Sequence, residues 1–74
     1  DRPGIVSAVT RVLADSGGNI IDLTTRLTGD LYLLVAEVDL PASVDTDALA
    51  SRLAATGADL GVRVTLSRQE TDLL

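Results

Sequence analysis

Two stretches of alternating polar and apolar residues, 19–27 and 31–40, flank the short turn Thr28-Gly29-Asp30. Two such runs joined by a Gly-containing turn make an antiparallel hairpin, and that hairpin restricts what the rest of the chain can build. In the first run Ile21, Leu23, Thr25 and Leu27 fall on one face, with Ile20, Asp22, Thr24 and Arg26 on the other. That is the pattern of a half-buried strand. In the second run Tyr32, Leu34, Ala36 and Val38 share a face. Leu31, Leu33 and Val35 lie opposite them, before Glu37 and Asp39 take over. This strand is therefore apolar on both faces for part of its length.

The hairpin needs a cover, and the flanking segments supply it. Ile5, Val9, Val12 and Leu13 recur at helical spacing with Ala8 on the same side, while Arg11 and Asp15 fall opposite. The spacing predicts a helix over 3–16. Pro3 suits its first turn, where a missing N–H costs nothing, and Gly17-Gly18 supplies the left-handed residue that ends it. A second helix is predicted after Pro41. Asp45 is its N-cap, and Val44 with Leu49 has the spacing of a hydrophobic staple. Leu49, Leu53, Gly57 and Leu60 form one stripe. A glycine inside a helix costs about 1 kcal/mol relative to alanine. On the buried stripe, however, Gly57 permits close approach to a sheet. The helix then runs to Leu60 and stops at Gly61; the other reading ends it at Thr56 with Gly57 as the cap.

Val62, Val64 and Leu66 alternate with Arg63, Thr65 and Ser67, which predicts a last strand. Residues 69–74 read as a frayed tail. The order helix, strand, strand, helix, strand is a βαββαβ unit without its first strand. The expected class is α+β, a ferredoxin-like two-layer sandwich with that strand missing.

Composition removes most chemistry. The 74 residues allow one domain, 1–74, near the lower limit for a self-sufficient core, and 46% hydrophobic content is a folding composition. The chain has no Cys, His, Lys, Met, Trp or Phe. A catalytic triad, a thiolate nucleophile, a Schiff-base lysine and a Cys-based metal site are all unavailable. No cofactor is expected. Asp45 and Asp47 have helix-start spacing without a third ligand, so capping explains them better than a metal does. A net charge of −5 is a poor match for a phosphate backbone, which argues against nucleic acid. The longest apolar run, 31–36, is far short of a membrane span. No signal-peptide pattern precedes it, and a cytoplasmic location is expected. Arg without Lys, with much Ala, Val and Asp, fits a GC-rich bacterial genome.

The opening Asp1-Arg2-Pro3-Gly4-Ile5-Val6, followed by an amphipathic helix, a glycine pair and Asn19-Ile20, resembles an ACT domain. The resemblance covers nearly the whole chain and is closest to the glycine-cleavage-regulator type and to the module that precedes formyltetrahydrofolate deformylases. It implies a regulatory, non-enzymatic module of βαββαβ fold that binds amino acids and pairs. In such domains the first strand precedes the Asp-Arg-Pro-Gly turn and is central in the sheet. A segment before Asp1 or a strand from a partner chain is therefore expected. By position, the resemblance implies a ligand site made of Asp1, Gly4, Ile5 and Asn19, at the interface between paired domains. Physical chemistry agrees in part. A helix N-terminus attracts a carboxylate, Gly4 lets a ligand approach the backbone, and Asn19 can donate and accept. The same residues also suit an ordinary helix start and an ordinary turn. Arg2 and Arg26 read as solvated charges, and Asp22 as a sheet-surface residue.

The apolar second face at 31–35 needs a cover of its own, which predicts a homodimer through the sheet. An amino-acid ligand and a regulated enzyme domain are the other expected partners. A dimerisation-only module is the rival. An acylphosphatase-like enzyme is disfavoured, because Pro3 lacks an N–H and Asp1 repels phosphate.

Overall fold

The computed structural model describes residues 2–69. Its elements run α1 (Arg2–Asp15), β1 (Asn19–Thr28), β2 (Leu31–Asp39) and α2 (Thr46–Leu60). Three helix ends that the sequence marks are built as expected. After α1, the Gly17 N–H donates to the Ala14 carbonyl and the Gly18 N–H to the Leu13 carbonyl, with Gly17 at φ 85°. Asp45 caps α2, its Oδ1 accepting from the N–H groups of Asp47 and Ala48 at 3.1 Å each. Gly61, at φ 76°, ends that helix, and the Val62 N–H closes back on the Gly57 carbonyl at 2.8 Å. Of the two readings of Gly57, the structure takes the one that keeps it inside the helix.

β1 and β2 pair antiparallel across the predicted turn. One detail departs from simple alternation. Ile20 is opposite Val38 and Asp22 opposite Glu37, so Ile21 is an extra residue in β1. This bulge rotates the strand by one position. Ile20, expected on the polar face, turns toward the core, and Ile21 is pushed out to 58% exposure. Beyond the bulge Leu23, Thr25 and Leu27 keep their common face, opposite Ala36, Leu34 and Tyr32.

The core lies where α1 crosses α2 over one face of the hairpin. Its five buried residues, Val9, Val12, Leu13, Leu49 and Leu53, are all helical. Ile5, Ile20, Val38, Val44, Val64 and Leu66 pack around them and remain half-buried. Leu60, expected on the buried stripe of α2, is instead 39% exposed. It sits at the last turn, where the helix has passed the edge of its cover. Across the helix pair Asp15 meets Arg52 of α2 at 3.7 Å, rather than Arg11 on its own helix. Both side chains are more than half exposed, so the pair adds little.

The expected third strand is present only in outline. Residues 62–67 alternate half-buried and exposed as a strand does, yet they form no ladder. The described sheet has two strands. Between β2 and residues 62–66 runs a groove of about 400 Å³, floored by Ile5, Val9, Leu13 and Leu53. The observed architecture is thus a two-layer, partial ferredoxin-like fold. Its thinnest extent is 17 Å, which leaves the outer face of the hairpin uncovered.

Candidate functional site

The expected site residues fall at two places. Gly4 and Ile5 belong to the first turns of α1, and both are half-buried. Ile5 packs against the core and floors the groove beside β2. Asp1 lies outside the described residues. Asn19 opens β1, exposed, opposite Asp39.

These two places are far apart in one chain. α1 runs its whole length between Gly4 and the glycine pair that leads into Asn19. At 1.5 Å per residue, that is about 16 Å from Gly4 to the end of the helix. β1 then returns antiparallel to α1, so the start of α1 lies beside the hairpin end of the sheet. A shallow depression there is bounded by Pro3, Val6, Thr25, Arg26, Leu27 and Tyr32. Asn19 is at the opposite end. The sequence could not show this separation, because fifteen positions of spacing do not say which way the strand returns.

Chemically, the α1 end offers free backbone N–H groups and a positive dipole end. Asn19 offers an amide that both donates and accepts. Arg26 is exposed and takes part in no ion pair among the described residues. Among the described residues, the nearest carboxylate to Asn19 along the ladder is Asp39, directly opposite it. Among the described residues, no group of three or more His, Cys, Asp or Glu could hold a metal. No described helix is long and apolar enough to cross a membrane.

The sequence profile of the ACT domain matches residues 1–58. A UPF0237 protein of Methanocaldococcus jannaschii is 34% identical over 71 residues, covering 95% of this chain and 79% of that relative. A UPF0237 protein of Methanopyrus kandleri is 38% identical over 71 residues, with 95% and 79% covered. One of Pyrobaculum aerophilum is 37% identical over 65 residues, with 86% and 72% covered. These relatives are archaeal, and they lend no support to the bacterial source read from residue usage. No solved structure matches the chain significantly. With the opening turn, α1, the hairpin and most of α2 all inside the matched span, this chain belongs to the ACT-domain family, a family of small-molecule-binding regulatory modules.

Proposed function

We propose that this module senses a small molecule of the amino-acid class, held between two copies of the chain, and passes its occupancy to a regulated protein. The observation that carries this reading is the separation of Gly4 and Asn19 by the length of α1. A ligand that touches both must lie between copies. β1 is ten residues long and pairs on one edge only among the described strands. Such an edge is a template for a second strand. Antiparallel pairing of β1 with β1 of another copy would bring Asn19 of one copy to the α1 start of the other. The helix end then takes the ligand carboxylate, and Asn19 takes its polar groups. Ligand favours the paired state by its differential affinity and by no more than that.

The same reading completes the sheet. The groove between β2 and residues 62–66 has an unpaired strand edge on each side. We infer that it takes one further strand, antiparallel to both, which would make the fold a full βαββαβ.

Calorimetric titration of the protein, with an intact start to α1, against the common amino acids tests the sensing role. At least one should bind. Asn19→Ala should weaken it by about tenfold or more, the loss expected for hydrogen bonds to charged groups, while sedimentation stays unchanged. If no amino acid gives heat or a thermal shift, the sensing role fails. Dimerisation alone would then be the better account.

A further inference from the structure

The outer face of the hairpin carries an apolar strip and a group of carboxylates that neither the core nor the proposed site uses. Leu31, Leu33 and Val35 stand there at 66%, 47% and 57% exposure, and the bulge adds Ile21 at 58%. Exposed apolar surface of this kind marks a place where another molecule packs. Glu37 and Asp39 continue the same row along β2, and both are exposed. Asp22 is directly opposite Glu37. Like charges facing each other across a ladder destabilise a sheet. Arg26, beside Leu33, is about 13 Å further along β1, too far to neutralise them. Among the described residues, none of Asp22, Glu37 and Asp39 has an ion-pair partner.

The register decides what can cover such a face, and a second copy of it fits poorly. With two strips superposed and their strands antiparallel, Leu33 of one lies over Val35 of the other. Glu37 then falls on Leu31, and Asp39 falls on the Gly29–Asp30 turn, whose own charge is a carboxylate. Sliding the copies until Asp22 meets Arg26 sets Leu33 on Glu37 and Leu31 on Asp39. With the strands parallel, acid lies on acid. Every arrangement leaves carboxylates against apolar groups or against one another, which is costly once water is excluded. Pairing of copies through the β1 edge leaves the face open.

We propose that the outer face binds a basic amphipathic helix of the protein that this module regulates. From Leu31 to Val35 the strip is about 13 Å long, and Asp39 lies about 13 Å beyond it. A helix laid along β2 covers the strip with about nine residues, so its apolar side chains recur at i, i+3 or i+4, and i+7. Lys or Arg one to two turns past that stripe reaches Glu37, Asp22 and Asp39. Apolar contact supplies the affinity, and the carboxylates set the direction of the helix and exclude acidic ones. A chain of net charge −5 adds long-range attraction for a basic segment. This interface rests on the regulatory reading for its partner alone, and it forms whether or not an amino acid binds.

Fluorescence anisotropy of the full chain with labelled helical peptides about five turns long tests the proposal. One peptide carries a leucine stripe followed by lysines. A second has glutamate in place of those lysines, and a third keeps the lysines but has serine in the stripe. The first should bind about tenfold or more tightly than either of the others. Leu33→Asp should weaken that binding by about the same factor, with circular dichroism as the check on folding. Asp22→Lys with Glu37→Lys should reverse the preference, so that the glutamate peptide binds better than the lysine one. Asp47→Lys with Asp59→Lys makes the same change of net charge on exposed positions of α2 and should keep the wild-type preference. The proposal is overturned if the first peptide does not bind, if the two double variants behave alike, or if folded Leu33→Asp binds like the wild type. It is overturned equally if Leu33→Asp halves the sedimenting mass, since a second copy then covers the face.

Discussion

Gly57 is the residue at which one absent carbon decides the packing. A Cβ built there would stand 2.7 Å from the Val62 carbonyl oxygen and 2.8 Å from Val64 Cγ2. In an ordinary helix interior, Gly→Ala stabilises by about 1 kcal/mol. Here the sign reverses. Gly57→Ala should destabilise by about 1–3 kcal/mol, the usual cost of overpacking, and chemical denaturation reads it directly. A stability gain would show that α2 can lift away from residues 62–64 without loss. The glycine was legible in the sequence as a buried-stripe residue. The contact that requires it was not, because Val62 and Val64 reach it only through the turn at Gly61. Asn19 illustrates the same limit. Its residue type and position mark it as a candidate, but only the fold shows that it is remote from Gly4.

Elements form here for reasons that are mostly local. Asp45 satisfies two of the free N–H groups that open α2, and Val44 packs against the core beside it. Asp45→Ala should cost about 1 kcal/mol, measurable as a lower unfolding midpoint. Asp45→Asn should recover most of it, since an amide caps nearly as well. The hairpin is local too, set by its turn and its alternation. Its bulge is not. Alternation places Ile20 with Asp22, and the observed strand places it with Leu23. The extra residue is favoured because it brings Ile20 into the core and keeps Asp22 out of it, which a regular strand cannot do for both. Residues 62–67 show the opposite case, a strand pattern without a ladder. If a further strand fills the groove, the amides along 62–66 should exchange with solvent far more slowly than those of the exposed Ala42 and Ser43. Equally fast exchange in the two segments would argue against the added strand.

The whole molecule is a thin slab whose core is helical and whose sheet is half finished on one edge and bare on one face. The bare face was foreseeable, since Leu31, Leu33 and Val35 oppose Tyr32, Leu34 and Ala36 by parity alone. Its cross-strand neighbours were not. That Arg26 lies beside Leu33 and Asp22 beside Glu37 follows from the register, which depends on the bulge. The same holds for the groove. Five elements can be read along the chain, but an open space between β2 and residues 62–66 exists only once α2 carries the chain back across the sheet. The sequence by itself determined what depends on near neighbours: the two helices, their caps and stops, the hairpin, the shortage of reactive side chains and the family. Tertiary structure alone decided what depends on distant residues meeting: the bulge, the separation of the two site ends, the contact at Gly57 and the open edges. Local pattern is written within a turn or two of chain, whereas register and proximity are set by packing between segments tens of residues apart.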